Sequence, residues 1–280
     1  LWMLSSPTPG AMIRRSEGKA VRYLASCSFV KDSLATILLA RMHGEPLDEV
    51  IYCEVMFDQG ISGEIPEHRD FICRTAIPRL KKWGIPVTVL RDPSTYVDNV
   101  AHLIRRGPKR GMIRGFPLCG RCAIQRDCKA RPINRYLRKR KGEVVQYIGI
   151  ASDEQERLVR LNGQKISLLD KYGVDEAGAY ELCKRAGLLS PIYEFANRNG
   201  CFFCPNAKLP ELRHLRRHHP DLWGRLLQIQ ALPNKPTERF NRTMTLYDIE
   251  KRLSTETRQE RTESANDTRR NIDHQSSHLL

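Results

Sequence analysis

The sequence predicts an α/β protein built on an open, doubly wound, mostly parallel sheet, with a smaller helical lobe that carries cysteines. In the first half of the chain, short apolar runs alternate with helical patterns, which is typical of such sheets. The runs are apolar on both faces, as expected of parallel strands covered from both sides. The 280 residues are 40% hydrophobic, enough for one large domain with a small appendage.

Hydrophobic period and Gly or Pro breaks locate the elements of this sheet. Strands are expected at 21–26, 50–57, 84–90 and 144–150. Helices between them are expected at 32–41, 66–83, 95–105 and 132–141. Further helices, at 176–186 and within 209–232, follow the last of these strands.

The domain organisation follows from composition. Residues 1–17 are rich in Ser, Pro and Gly and are interpreted as a flexible lead-in. The α/β domain is expected to span 18–160, with a basic, cysteine-bearing insertion at 105–141, and the helical lobe to span 161–245. Residues 246–280 have little apolar content and are expected to form a frayed helix and a disordered tail.

Positive charge is concentrated in one segment. The formal net charge is +15, and Arg105 to Lys141 holds fourteen Lys or Arg and one acid, Asp127. Such a field favours a phosphate-rich partner, either a nucleotide or a nucleic acid, and the alternative is a solvated basic face. No apolar run approaches the roughly 18 residues of a membrane span, and no secretory signal is recognised, so a cytoplasmic protein without membrane contact is expected.

Five of the nine cysteines have the spacing of metal ligands. Cys119 and Cys122 form one Cys-X-X-Cys pair with Cys128 six residues on, and Cys201 and Cys204 form a second pair. Four of these sulfurs could hold a tetrahedral Zn²⁺ or a [4Fe–4S] cluster, and the choice among the five stays open. A zinc of purely structural role, or a reactive thiolate at Cys119 or Cys128, are the alternatives.

The loop after the first strand has the chemistry of an anion site. It runs Ser26-Cys-Ser-Phe-Val-Lys-Asp-Ser33 and supplies hydroxyls, an ammonium group and backbone N–H groups at a helix start. In an open parallel sheet, this position borders the ligand crevice. Asp32 either holds Mg²⁺ or caps the helix.

These residues resemble a known family. Ser28-Phe-Val-Lys-Asp-Ser33 is similar to the SxGxDS "PP-loop" of the adenine nucleotide α-hydrolases, in the SFGKDS form typical of proteins similar to phosphoadenosine phosphosulfate (PAPS) reductase. The likeness runs from about residue 18 to 225. Its further segments are Glu54 to Asp58, Gly63 to His68, Tyr147 to Glu154 with Arg157, and Gly200 to Asn206.

The resemblance implies an enzyme that binds ATP or PAPS with Mg²⁺. In the ATP-using branch, the α–β bond breaks, an acceptor oxygen is adenylated and pyrophosphate leaves. The implied substrate is a nucleic acid or nucleotide that receives sulfur, with a sulfur-donor protein as a further partner. The implied catalytic residues are Lys31, Asp32, Asp153 and Glu154, and the implied nucleotide-binding residues are Ser26, Ser28, Lys31, Asp32, Ser33, Asp58 and Arg157.

Some of these residues have a structural alternative. Asp153 and Glu154 could instead cap a helix and form a salt bridge with Arg157. Glu64, Glu67 and His68 are interpreted first as helix-start residues, with a functional role as the alternative.

Two departures from the family pattern leave alternative functions open. Val30 stands where the family loop has glycine, and a β-branched residue does not readily adopt positive φ, so a degenerate nucleotide-sensing or nucleic-acid-binding module is the second hypothesis. Reduction of PAPS is the third. It would need a cysteine near the C-terminus, and the sequence has none after Cys204.

Overall fold

The computed structural model describes residues 21–117, 122–140, 142–196 and 200–259. Its centre is a five-stranded sheet in which every neighbouring pair is parallel, in the order β3-β2-β1-β4-β5. The strands are β1 (Val21–Ser26), β2 (Glu49–Glu54), β3 (Val87–Arg91), β4 (Glu143–Ile148) and β5 (Lys165–Ile166). The predicted fold class is confirmed, with the two-residue β5 as an additional edge strand.

Helices surround this sheet and form the lobe. They are α1 (Lys31–His43), α2 (Pro66–Phe71), α3 (Ile77–Lys82), α4 (Tyr96–Ala101), α5 (Arg131–Arg138), α6 (Gln155–Leu158), α7 (Leu168–Lys171), α8 (Glu176–Arg185), α9 (Leu209–His218), α10 (Pro220–Gln230) and α11 (246–259). A π-helical turn at Ile72–Ala76 joins α2 to α3, and another at Gln125–Ala130 leads into α5.

The strand order reverses beside β1. From β1 the chain builds outward to β2 and β3, then crosses to the other side of β1 to form β4 and β5. β1 and β4 are in register to their ends, with Ser26 opposite Ile148. This is the topological switch point, where open α/β sheets bind ligands at the carboxyl ends of the strands.

Both faces of the sheet are covered because its strands are apolar on both sides. Val50 and Tyr52 of β2 pack in the core cluster that contains α1, α2, α3, α7 and α8. Ile51 and Cys53 point to the opposite face and pack with Ile133 of α5. The segment 105–141, expected to be an insertion, therefore contributes part of the sheet's second helical layer.

A second core holds the lobe together. It combines aromatic side chains near the end of β2 with apolar residues of α4, α9, α10 and α11. We expected a frayed helix from residue 246, but Leu246, Ile249 and Leu253 of α11 are buried in this core. The flexible lead-in at 1–17 and the tail beyond 259 lie outside the described residues.

Within the described residues, no helix has both the length and the apolar character that crossing a bilayer requires.

Candidate nucleotide site and cysteine centre

The loop between β1 and α1 is closed by its own side chains. Ser33 Oγ accepts a hydrogen bond from the Ser28 N–H at 3.3 Å and donates to the Val30 carbonyl at 3.0 Å. The Ser28 carbonyl accepts from Nε2 of the buried His68 at 3.0 Å. The loop therefore has a defined shape at the N-terminus of α1, where backbone N–H groups favour anions.

The steric argument against Val30 is wrong. Val30 has φ −88° and ψ 168°, an extended conformation that suits a β-branched residue. The positive φ of the loop falls on Phe29, at 59°. The Phe29 ring is fully buried and packs edge-on against Tyr52, with 5.2 Å between ring centroids. Because burial of the ring stabilises this conformation, the loop forms without a glycine at position 30.

Lys31 presents its charge within a group of carboxylates. Its Nζ lies 2.7 Å from Asp32 Oδ1 and 3.5 Å from Glu176 Oε2. Its backbone N–H donates to the Tyr193 hydroxyl at 3.1 Å. Burial raises the pKa of Asp32, Lys31 opposes that shift, and Glu176 and Glu154 add to it. The crevice thus holds an ammonium group and three carboxylates, a set that can bind a phosphate together with a divalent cation.

Gly149 allows the two halves of the site to approach each other. A Cβ at this position would lie 2.7 Å from both the Asp32 carbonyl carbon and the Ser33 nitrogen. Any side chain would therefore push the end of β4 away from the start of α1. Nothing in the spacing of the sequence predicted this contact.

In the acidic turn after β4, Asp153 and Glu154 make the hydrogen bonds and the salt bridge that were their structural alternative. Glu154 Oε2 accepts from the Ala151 N–H at 3.1 Å, and its other oxygen pairs with Arg157. Asp153 Oδ1 accepts from the Glu176 N–H at 3.3 Å, at the start of α8. The structure brings Glu154 to the crevice, since its charge contributes to the raised pKa of Asp32.

Ser26 and Asp58, the remaining predicted ligands, have structural contacts. Ser26 Oγ accepts from Gln146 Nε2 at 2.5 Å, across to β4. Asp58 Oδ1 accepts from the N–H groups of Gly60 and Ile61 at 2.9 and 2.7 Å, and its other oxygen lies 3.3 Å from Arg225. These bonds give Asp58 the role of closing a turn.

His68 supports the loop from below. Because the Ser28 carbonyl can only accept, Nε2 of His68 carries the proton, and Nδ1 accepts from the Ser190 hydroxyl at 2.8 Å.

Tyr193 and Glu176, which contact Lys31, come from more than 140 residues away along the chain. Sequence reasoning missed Tyr193 and Glu176 because only the tertiary fold brings them to the loop.

Tyr96, whose hydroxyl is buried, packs in the same core as Cys122 and Cys201. Burial raises the pKa of Tyr96 well above its usual value, and Cys122, Cys201 and Cys204 add to the shift. Among the described residues, the Tyr96 hydroxyl has no hydrogen-bond partner. An unpaired buried hydroxyl costs free energy, and a sulfur-ligated metal centre among these cysteines would supply acceptors for it. The residues present therefore fit such a centre.

Cys128 is placed differently from these three. It is 1% exposed, and its sulfur accepts a hydrogen bond from Asn99 Nδ2 at 3.2 Å. Burial raises its pKa to about 11. Cys119, the fifth candidate, lies outside the described residues. Across the described part of the chain, no three cysteine sulfurs lie within 4.8 Å of one another.

Aromatic packing fixes the Cys201 to Cys204 turn against the α/β domain. The Phe202 N–H donates to the Gly63 carbonyl at 2.9 Å, and the Phe203 ring stacks on Tyr96 with 3.9 Å between centroids. A Cβ on Gly63 would lie 2.8 Å from the Phe203 ring, so this position admits only glycine without rearrangement.

Tyr52 and Glu64 link the loop at 26–33 to the surroundings of Cys201. Phe29 packs on Tyr52, whose hydroxyl donates to Glu64 at 3.3 Å. Burial raises the pKa of Cys201, Glu64 adds to the shift, and the nearby ammonium group of Lys129 opposes it. Glu64 thus contacts Tyr52 on the side of the loop, and its charge acts on Cys201.

The basic segment forms an open groove along α5. The apolar face of α5 packs on the sheet through Ile133, while Arg135 and Arg138 of the same helix are exposed. Asp127, the one acid of the segment, pairs with Arg126 at 2.8 Å and with Arg131 at 3.1 Å. The groove has a volume of about 630 Å³ and is lined by Arg126, Ala130, Arg131, Asn134, Arg135, Arg138 and Lys139.

Comparisons with known proteins give a likeness to solved structures alone. No protein-family model and no curated protein matches the sequence. Among solved structures, the chain is similar to "U34-tRNA thiolase NcsA from Methanococcus maripaludis with its [4Fe-4S] cluster", at 15% identity and a TM-score of 0.39. That similarity covers 84% of this chain and 82% of the other.

Proposed function

We propose that this protein is a PP-loop ATP pyrophosphatase that activates a nucleic-acid substrate for sulfur transfer. The observation that carries the proposal is the loop at 26–33, which lies at the topological switch point of a parallel sheet with the ammonium group of Lys31 at the start of α1. The resemblance of this loop to the SxGxDS motif supports adenine nucleotides as its ligand class.

The contacts of Lys31 suggest how the loop would act on ATP. Lys31, already paired with Asp32 and Glu176, would bind a phosphate oxygen, and the released carboxylates would help to hold Mg²⁺. As the acceptor oxygen bonds to the α-phosphorus, the α–β bond breaks and pyrophosphate leaves. Lys31 would stabilise the charge that develops on the leaving group. A hydrosulfide-class nucleophile then replaces the adenylate on the substrate, and AMP leaves with the oxygen.

The groove along α5 supports a polyanionic substrate. Its exposed arginines face away from the sheet, where phosphate contacts would release counterions. Binding of a single-stranded RNA should weaken as salt rises. The double substitution of Arg135 and Arg138 by Ala should flatten that salt dependence, since each lost phosphate contact lowers the slope by about 0.7 to 1.

The cysteines support a sulfur-ligated metal centre beside this site. Cys122 and Cys201 pack in the same core as Tyr96, and with Cys204 they would supply three ligands, while Cys119 or Cys128 would be the fourth. When bound, such a centre would supply electron-transfer or sulfur-binding chemistry if it is iron–sulfur, and rigidity if it is zinc. Replacement of Cys119 and of Cys128 by Ser in separate variants, with metal content measured in each, identifies the fourth ligand.

The test of the proposal is release of pyrophosphate and AMP from ATP and Mg²⁺, with and without RNA. The parent should form both products. Lys31→Ala should reduce turnover by at least about tenfold, since a charged hydrogen bond is worth about 1.5–3 kcal/mol. Lys171→Ala is the matched control, because Lys171 is an exposed lysine that pairs with Glu45 on the surface.

The Val30→Gly variant separates this proposal from the degenerate module. Since Val30 is already extended, the glycine relieves no strain, and the parent should be as active as the variant. An inactive parent with an active Val30→Gly variant would instead support the nucleotide-sensing module. Release of sulfite from PAPS with thioredoxin would support the reductase.

A further inference from the structure

A second cluster of ligand-type side chains lies outside the nucleotide loop and the cysteines. Nε2 of His214 lies 2.7 Å from Oε1 of Glu67, and Nε2 of His219 lies 3.0 Å from both oxygens of the same carboxylate. One ligand atom from each of the three residues lies within 4.8 Å of the other two. In the described part of the chain, no other group of three His, Cys, Asp or Glu side chains meets this criterion.

Glu67, His214 and His219 reach this cluster from three different places in the fold. Glu67 lies in the first turn of α2, directly after Pro66. His214 lies on α9, and its ring stacks flat on Phe195 with 3.6 Å between centroids. His219 lies at the junction of α9 and α10, where φ −133° and ψ 61° interrupt the helix and turn its side chain back towards Glu67.

The donor set is that of a transition-metal site. Two imidazole nitrogens and one carboxylate oxygen are the ligands of His₂Glu zinc centres, which keep a fourth position for water. The side chains are 16%, 18% and 29% exposed for His214, His219 and Glu67, so water can reach the remaining position. Imidazole and carboxylate donors also suit other divalent ions of the first transition row.

We propose that Glu67, His214 and His219 bind one divalent transition-metal ion, with zinc the ion that this donor set best suits. The ion would replace the protons through which both imidazoles contact Glu67. It would connect α2 of the α/β domain to the α9–α10 junction of the lobe. His68, the next residue after Glu67, bonds to the Ser28 carbonyl, so the ion would also brace the helix that supports the nucleotide loop.

Cobalt titration of the full-length protein tests this site. Co²⁺ bound by nitrogen and oxygen gives visible ligand-field bands without the intense sulfur-to-cobalt charge-transfer band of a cysteine site, so the two sites are distinguishable in one spectrum. One equivalent of the nitrogen and oxygen type is expected. His214→Gln and His219→Gln keep an N–H that can donate to Glu67 but remove the ligand nitrogen, and each should weaken binding by at least about 100-fold.

His218→Gln is the matched control. Its ring lies 4.4 Å from that of His214, yet it is not part of the group of three, so cobalt affinity should stay at the parental value. Circular dichroism checks that each variant folds. If a histidine variant does not fold, Glu67→Gln tests the site instead, because it removes a different ligand. Cobalt spectra of the sulfur type alone, or equal affinity in the parent and in His219→Gln, would overturn the proposal and leave a hydrogen-bonded His-Glu-His cluster.

Discussion

At the scale of single residues, the loop at 26–33 depends on Phe29, a strained aromatic residue, rather than on a glycine. Phe29 adopts positive φ, which costs about 1–2 kcal/mol for a residue with a Cβ. Burial of its ring against Tyr52 offsets this cost, because burying a Phe side chain contributes about 1.5–3 kcal/mol. The sequence predicted a loop between the first strand and the first helix, which the structure has, but the residue that takes the special conformation could not be predicted from the motif.

Gly149 gives a prediction at the same scale. Gly149→Ala places a Cβ against the backbone of Asp32 and Ser33, and overpacking of this kind costs about 1–3 kcal/mol. The variant should unfold at lower denaturant concentration and bind ATP more weakly. Gly163→Ala is the control, because no atom lies within 4 Å of a Cβ at that position. Equal stability and ATP affinity in the two variants would contradict the close approach of β4 to α1.

The Tyr96 hydroxyl tests the metal centre independently of catalysis. In metal-free protein, Tyr96→Phe removes an unpaired buried hydroxyl and should raise the free energy of unfolding by up to about 1–3 kcal/mol. After metal loading, the same substitution should give no gain or a loss, because the hydroxyl would then have an acceptor. Denaturant unfolding with and without the metal measures both values. The same change in both states would show that the centre does not reach Tyr96.

At the scale of elements, α11 shows where composition misled the prediction. The helix was expected to fray because its sequence is mostly polar, yet Leu246, Ile249 and Leu253 fall on one face and are buried. Its polar residues hold it as well, since Glu250 accepts from Trp223 Nε1 at 2.6 Å and from Arg216 Nη2 at 2.8 Å. Counting apolar residues gave no sign that this helix packs on the lobe, because three apolar side chains at the right spacing are enough to attach it.

Glu250 makes the attachment of α11 dependent on pH. The hydrogen bond from Arg216 is the largest influence on its carboxyl, and the pKa lies at about 2, below the ordinary 4.5. Because the folded pKa is depressed, the carboxylate contributes stability above pH 4.5, and that contribution is lost as pH falls towards 2. Unfolding of Glu250→Gln should therefore show lower stability at pH 7 and a flatter decline between pH 5 and 2. Glu156→Gln, at an exposed position, should follow the parent; a decline in Glu250→Gln as steep as the parent's would contradict the assignment.

At the scale of the whole molecule, the alternation of apolar strands with helices was sufficient to predict the fold class and four of the five strands of the sheet. The side chains that complete the crevice were not predictable in the same way. Tyr193 and Glu176 follow the loop by more than 140 residues, and no local pattern indicates that α8 and the turn at Pro191–Glu194 pack beside α1. Asp58 and Ser26 make hydrogen bonds within the protein, and their role as nucleotide ligands stays a prediction.

The packing of distant segments explains why the cysteine pairs were recognised in the sequence while the four metal ligands could not be chosen among the five cysteines. Spacing within a Cys-X-X-Cys pair is local, so both pairs stood out in the sequence. Which sulfurs could share a metal depends on how α4, the segment before α5 and the turn at 201–204 pack together, and Tyr96 of α4 stacks on Phe203 of that turn. Cys128 has the right spacing but bonds to Asn99 inside the core.

Calorimetry of ATP with Mg²⁺ binding to the full-length protein tests the central claim most directly. The loop at 26–33 should bind one nucleotide, and Lys31→Ala should weaken that binding by about 10- to 100-fold, while Lys171→Ala binds as the parent does. If neither ATP nor PAPS gives a binding signal, or if Lys31→Ala binds with parental affinity, then the switch point of this sheet is not an adenine nucleotide site.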